Sequence, residues 1–349
     1  VSTAPSVAPD MAETQNLPQT VRSLVIAAGD QEVPRFEEQR LPLAEIGPHD
    51  LLVEVRAVSV NPVDTKVRTG AAPQPDPKVP GWDAAGVVRA AGAEATGLSP
   101  GDEVFYAGDL LRPGTDSEFH VVDSRVVGAK PSGLSHAEAA ALPLTALTAW
   151  EGLFDRLKLG SEAQGTLLVV GAAGGVGSMV IQLAKQLTGR TVIATASRPE
   201  SRDWVRGLGA DHVIDHSRSL AEQLTEIAPQ GVDYAFSAFT EGQEEKIAEA
   251  MAPQSGLVVI DDPDGLPTGP FKPKSIALHW EFMFTRTMFG TPDMARQAEI
   301  LDRVAEMIDA GTLRSTLSET LEGLTPENLA EAHRRLESSR TMGKLVLSL

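Results

Sequence analysis

Gly171, Gly174, Gly175 and Gly177 carry the clearest chemistry in this chain, inside the stretch TLLVVGAAGGVGSMVIQLAKQL that begins at Thr166. An apolar, strand-like run precedes them and an apolar-faced helical run follows. Residues without side chains at such a turn let phosphate oxygens approach backbone N–H groups. The helix start near Val176 adds unpaired donors and the positive end of a dipole. The spacing is GxxGGxG, which departs from GxGxxG, so context has to support the motif. One alternative is a turn serving strand–helix packing alone. The flanking strand, the helix and the strand–helix alternation beyond them all favour a dinucleotide phosphate turn.

The end of the next strand bears on which dinucleotide binds. A site for NAD puts Asp or Glu there to accept from the ribose 2′-hydroxyl. This chain reads TASRPESR, offering Ser197, Arg198 and Arg202. Hydroxyl and guanidinium groups suit a 2′-phosphate, which a carboxylate would repel. NADP(H) is therefore expected over NAD(H), with Glu200 as a counterweight and solvated helix-start arginines as the alternative. Asp261 and Phe239 lie at the ends of later strands, where ligands of open parallel sheets gather.

These residues need a scaffold, and strands near five residues long alternate with helices near ten. Strands are expected at 166–171, 191–195, 212–215, 233–237 and 256–260, and helices at 176–187, 200–208, 218–227 and 242–252. That alternation marks βαβ units around a doubly wound parallel sheet. Before it, from 21 to about 130, short apolar runs are divided by Gly, Pro and Asp. LLVEVRAVSV at 51–60 alternates as a half-buried strand does, and PQPDPKVPG at 73–81 reads as a long surface loop. Ser135 with Glu138 forms a capping-box pattern, and Pro143 divides the helical run that follows. Helices are expected at 293–310 and 326–338. The closing GKLVLSL reads as a strand that returns to the first domain, so the nucleotide domain (150–285) is inserted in a β-rich domain (21–149 and 286–349). Residues 1–20 read as an unstructured tail.

Composition removes several function classes. The 349 residues suffice for roughly two domains. There is no cysteine, which excludes thiolate ligands, a cysteine nucleophile and disulfides. The formal net charge of −18 disfavours phosphate backbones and anionic membranes, so no nucleic-acid partner is expected. No run of residues has the length and apolarity of a membrane span, nor does the N-terminus read as a signal peptide. A cytoplasmic protein is the expectation.

The glycine turn, the order of domains and several further segments together resemble the medium-chain dehydrogenase/reductase superfamily, in its zinc-independent quinone oxidoreductase branch. The segments are VSVNPVDTKVRTG (58–70), PGWDAAGVV (80–88), GDEVFYAG (101–108) and AAALPLTALTAW (139–150). LHWEFMFTR (278–286) is similar to a marker of the bacterial zinc-type alcohol dehydrogenase-like group. The resemblance covers nearly everything from Leu24 to Leu349. It implies an α/β fold, a doubly wound parallel nucleotide-binding sheet inserted in a β-rich GroES-like catalytic domain, and a homodimer paired through the nucleotide-binding domain.

In zinc-using relatives a Cys ligand stands at the place of Asn61 and a His-Glu pair at Trp82-Asp83, so no metal is expected here. Without a metal to stabilise an alkoxide, the implied reaction is hydride transfer from NADPH to a small electrophilic acceptor. A quinone leads, an enone or alkenal double bond is the alternative, and a non-enzymatic NADPH-binding role is a third reading. The resemblance places Asn61 in the cleft, where its amide can donate to a developing oxyanion, and Thr145 at the nicotinamide end. Asp64 is expected to fix the loop by accepting backbone N–H bonds, since acid catalysis would need its pKa raised several units. Lys66 stands where many quinone reductases carry Tyr; it either steadies negative oxygen or points to solvent. Tyr106 either meets a flat substrate or packs as an ordinary aromatic. Trp82 fills the volume of the missing ligand.

Overall fold

The computed structural model describes residues 17–27, 35–70, 78–162, 164–263 and 265–349. The expected tail, apart from its last four residues, and most of the 73–81 loop lie outside them. The chain opens with an antiparallel pair, β1 (Thr20–Ile26) and β2 (Phe36–Pro42). Next come β3 (Asp50–Ser59), α1 (Pro62–Gly70), β4 (Ala84–Ala91), β5 (Glu103–Tyr106), β6 (Phe119–Asp123) and β7 (Val127–Ala129).

β3 is more deeply buried than an alternating pattern implies. Leu51, Leu52, Val53, Val55, Ala57 and Val58 are all shielded from solvent. β4 and β6 pair with β3 along its edges and α2 (His136–Ala140) packs against it, so within the strand only Arg56 is exposed and Glu54 half-buried. The Ser135–Glu138 capping box starts α2, and Pro143 opens α3 (Pro143–Trp150) at a position where a missing N–H costs nothing. α3 runs on as a π-helical turn to Arg156.

The second unit alternates as its sequence pattern demands. It contains β8 (Thr166–Val170), α4 (Gly175–Leu187), β9 (Thr191–Thr195), α5 (Pro199–Gly207), β10 (His212–Ile214), α6 (Leu220–Leu224), β11 (Val232–Ser237), α7 (Glu244–Ala250), β12 (Met251–Val259) and β13 (Ala277–Trp280). All pairings are parallel, in the order β10-β9-β8-β11-β12-β13. The connection therefore reverses between β8 and β11, which opens a crevice at their carboxyl ends. β13 was not expected as a strand. It lies at the sheet edge with no fully buried residue, and such a strand leaves no burial pattern to read.

α8 (Thr285–Met288), α9 (Arg296–Asp309), β14 (Leu317–Glu322), α10 (Pro326–Glu337) and β15 (Lys344–Ser348) complete the chain. β15 pairs antiparallel with β3, Val346 opposite Ser59 and Leu347 opposite Val58. The mixed sheet runs β14-β15-β3-β4-β5-β7, with β6 also on β3. The parallel sheet is thus inserted into a β-rich unit that the last strand closes. Among the described residues, no helix is long and apolar enough to cross a membrane.

A buried ionic cluster ties the α3 extension to the segment after β13. Arg286 reaches Glu151 at 2.5 Å, Asp155 at 2.9 Å and Asp293 at 3.1 Å, while Arg156 pairs with Glu281 at 2.8 Å. Gln297 on α9 donates to the Met283 carbonyl at 2.7 Å. Burial, and then the Glu151 carboxylate, push Glu281 up to about 8. Removing the cation from such a cluster leaves a buried negative charge without compensation. Arg286→Met is expected to destabilise the fold by about 3–5 kcal/mol. Urea unfolding measures this, and a loss under about 1 kcal/mol would mean that the cluster is screened as a surface pair is.

Candidate active site

Three backbone segments bring the polar centre together: the end of β3, the start of β4 and the start of β15. Asn61 follows β3, Asp83 precedes β4, and Lys344 opens β15; all three are buried. Asp83 Oδ2 accepts from Ser59 Oγ at 2.8 Å and from Asn61 Nδ2 at 3.1 Å. Its Oδ1 accepts the Leu144 backbone N–H at 3.1 Å, at the start of α3, where a carboxylate also meets the helix dipole favourably. Lys344 Nζ donates to the Val60 carbonyl at 2.8 Å and to Asn61 Oδ1 at 2.5 Å, and lies 3.2 Å from Asp83 Oδ2. Burial pushes Asp83 up and Lys344 down, and each opposes the other's shift.

Lys344 is the site residue that sequence reasoning missed. A lysine after a glycine at the head of an otherwise apolar strand was the available signal. Its presence also changes the part expected of Asn61. The Asn61 oxygen faces the ammonium, and Nδ2 is engaged by Asp83 and, at 3.3 Å, by the Ser59 carbonyl. With both amide hydrogens committed, Asn61 presents no free donor to an incoming oxygen in this arrangement.

Asp64 does accept the Asn61 backbone N–H, at 2.6 Å, through Oδ2. Its Oδ1 is buried without a partner. Burial lifts its pKa to about 7 against the pull of that hydrogen bond and of Lys344, so the shift that an acid role requires is present. Asp116 is also buried and raised, first by burial and then by Asp64.

Tyr106 corrects the expectation of a substrate contact. Alternation along β5 sends Phe105 into the core shared with α3 and Tyr106 into the opposite core of the β-rich unit. The Tyr106 hydroxyl meets His120 Nδ1 at 3.2 Å, the two rings are stacked, and burial holds His120 down at about 4. Lys66 stands apart from the buried cluster, half-exposed on α1. It pairs at 2.7 Å with Asp262 in the loop after β12.

The glycine turn lies beside Lys344. Gly171 has φ +76°, a conformation side chains disfavour, directly after β8. Gly174 caps α4 without any side-chain hydrogen bond, leaving the first N–H groups of that helix to an outside acceptor. Gly175 is a position of close approach: a Cβ there would lie 2.7 Å from Lys344 Cδ and 3.0 Å from Thr145 Cγ2. Val176 and Gly177 form the first turn of α4, and the Thr145 hydroxyl donates to the Leu142 carbonyl at 2.9 Å. At the carboxyl end of β9, Ser197 is exposed and Arg198 is partly exposed, donating to the Arg340 carbonyl at 2.8 Å. Arg202 spends part of its fork on the Ala196 and Val213 carbonyls, at 3.1 and 3.2 Å. Asp261 accepts the Thr240 N–H at 2.6 Å and the Glu241 N–H at 3.2 Å, which fixes the loop carrying exposed Phe239 beside the crevice.

The residues at the positions resembling a zinc site do not fit a zinc ion. The carboxamide and carboxylate are already shared with an ammonium, and Trp82 is a buried indole whose Nε1 donates to the Asp109 carbonyl. Among the described residues, no group of three His, Cys, Asp or Glu could hold a metal.

Two families match the chain: Alcohol dehydrogenase GroES-like domain over residues 47–151, and Zinc-binding dehydrogenase over residues 208–347. A zinc-type alcohol dehydrogenase-like protein of Staphylococcus aureus is 40% identical, covering 89% of this chain and 94% of its own. The 2-methylene-furan-3-one reductase of Solanum lycopersicum is 33% identical, over 89% of this chain and 74% of its own. A solved structure from Rhizobium etli, described as that of a candidate zinc-dependent alcohol dehydrogenase, is 46% identical with a TM-score of 0.90. It covers 95% of this chain and 98% of its own.

The raised pKa of Asp64 has a definite sign in stability. A carboxyl held above its unfolded value stabilises the fold fully below about 4, and that contribution is lost as pH rises through about 7. Asp64→Asn, which keeps an acceptor for the Asn61 N–H, is expected to shift Tm more favourably at pH 8 than at pH 5. Scanning calorimetry at both pH values checks this. An equal shift at both would mean that Asp64 is ionised throughout.

Proposed function

The chain belongs to the medium-chain dehydrogenase/reductase superfamily, in its zinc-type alcohol dehydrogenase-like branch, and from that premise we propose an NADPH-dependent, zinc-independent reductase of small conjugated carbonyl acceptors, quinones foremost. The observation that carries the cofactor is the uncapped start of α4, directly after the positive-φ turn at Gly171. Backbone N–H groups of Gly175, Val176 and Gly177 would bind the diphosphate there, at the crevice beside β8 and β11. Ser197 and Arg198, with no carboxylate at the end of β9, favour a 2′-phosphate. Bound NADPH supplies a hydride.

The chain's own contribution is placement and electrostatics. Thr145, packed on Gly175, lines the approach to the junction of the two units, and Asp261 fixes the loop after β11. Asn61 has its polar atoms engaged within the protein, and Tyr106 lies in the opposite core. A site with so few free donors suits an acceptor that asks little of them. A quinone is such an acceptor, because its reduction yields a stabilised oxyanion that takes its proton from water. The tomato relative, named for a reductase of an alkene conjugated to a ketone, supports a second reading in which the acceptor is an enone.

Parallel assays of NADPH and NADH oxidation with a simple quinone and with a 2-alkenal distinguish these readings. Quinone turnover with NADPH preferred is the expected result; alkenal turnover without a quinone response would transfer the assignment to double-bond reduction. Oxidation of neither acceptor by protein that binds NADPH would favour a non-enzymatic role.

We further propose a homodimer paired through the nucleotide-binding domain at the edge strand β13, where Trp280 is exposed and Phe282 is exposed just beyond the strand. Light scattering at micromolar concentration is expected to give twice the chain mass, and a monomer would remove the proposal.

A further inference from the structure

Lys344 is 4% exposed at the head of a strand that is otherwise an apolar closure of the β-rich sheet. Its ammonium carries three hydrogens, and three acceptors surround it: the Val60 carbonyl at 2.8 Å, Asn61 Oδ1 at 2.5 Å and Asp83 Oδ2 at 3.2 Å. Its carbons lie against the opposite unit. Cδ is 2.7 Å from where a Cβ on Gly175 would stand, with the Thr145 methyl group closing the same gap. The backbone that presents it is tied there as well, because the Gly343 N–H donates to the Ala173 carbonyl at 2.9 Å. One side chain thus touches the glycine turn with its stem and the polar centre of the β-rich unit with its head.

We propose that Lys344 is a positioning residue of the reductase: its head orients Asn61 and Asp83, and its stem links that orientation to the turn that grips the cofactor. The inference rests on the reductase reading above. An ammonium facing Oδ1 distinguishes the two ends of the Asn61 carboxamide, which are otherwise close in shape, and so directs Nδ2 toward Asp83 and Ser59. Asp83 then holds the start of α3 through the Leu144 N–H, and α3 carries Thr145 back to Gly175. The circuit from turn to lysine to carboxylate to helix to turn closes on itself. Each member constrains the next, so an acceptor in the crevice meets walls held in one geometry.

Lys344→Met keeps the stem and removes the charge, but it leaves Asp83 buried without a counter-ion and endangers folding. The paired variant Lys344→Met with Asp83→Asn removes both charges, so folding and positioning become separable. Fluorescence titration gives the NADPH Kd and the active fraction, and steady-state assays with a quinone give kcat and KM. The paired variant is expected to fold and to bind NADPH nearly as tightly as the parent, with kcat about a hundredfold lower per active site. Parental kcat in the paired variant would overturn the proposal, leaving Lys344 as a counter-ion for Asp83 and no more. A loss of NADPH affinity as large as the loss of kcat would also overturn it, by making Lys344 a cofactor ligand. Failure of the parent itself to bind NADPH or reduce any acceptor would instead remove the reductase reading, and this inference with it.

Discussion

A lysine ammonium taken out of water is costly unless charge and hydrogen-bond acceptors meet it, and much of this molecule's centre answers that demand for Lys344. Desolvating an ion in a protein costs several kcal/mol, and a single carboxylate recovers this only when the remaining donors are also satisfied. Asp83 supplies the charge, and Asn61 and Val60 supply the other two acceptors. Asp83 in turn has a buried second oxygen, which the start of α3 satisfies. The position of that helix therefore follows from the same electrostatic requirement that fixes the lysine. The long stem needs a groove, and the lack of a side chain at Gly175 provides it.

The crevice between β8 and β11 and the polar centre of the β-rich unit are adjacent because β15 returns to β3. That pairing joins residues nearly three hundred positions apart and brings the Gly343–Lys344 step against the glycine turn. A nucleotide domain inserted between the two parts of a β-rich domain thus acquires, from closure of the chain, a contact that neither part contains alone. The raised pKa values of two neighbouring carboxyls fit the same economy of charge. One ammonium cannot compensate Asp64, Asp83 and Asp116 together, so burial keeps Asp64 and Asp116 protonated to higher pH while Asp83 takes the ion pair.

Short-range features were legible in the sequence. Strand and helix alternation from 166 to 259 matched periods that the backbone itself imposes, and the strands of the parallel sheet lie within a few residues of where those periods set them, apart from the longer β12 and the edge strand β13. The capping box at Ser135 and the break at Pro143 depend on neighbours three or four residues away and were readable for that reason. What depended on distant partners was not. Periodicity shows that Phe105 and Tyr106 face opposite ways, but not which face looks toward the cleft; packing sends Tyr106 to the core with His120. Asn61 was identified as a site residue from its segment, yet the commitment of its hydrogens follows from Lys344, 283 positions later. β3 gave an alternating pattern because Glu54 and Arg56 interrupt it, although its strand and helix neighbours bury most of both faces.

The mismatch between the zinc in the family's name and the residues present has a physical basis in the same cluster. Exchanging one ligand would not turn this centre into a metal site, because the carboxylate would still be shared with an ammonium whose charge repels a second cation at contact distance. Removing the ammonium alone would leave Asp83 buried and uncompensated beside Trp82, whose indole fills the space a ligand's head would need. A metal-dependent and an ammonium-centred arrangement are thus separated by several simultaneous changes, at Asn61, Trp82 and Lys344 at least. With the cation covalently attached to the chain, the centre is held together by the protein's own charges and hydrogen bonds.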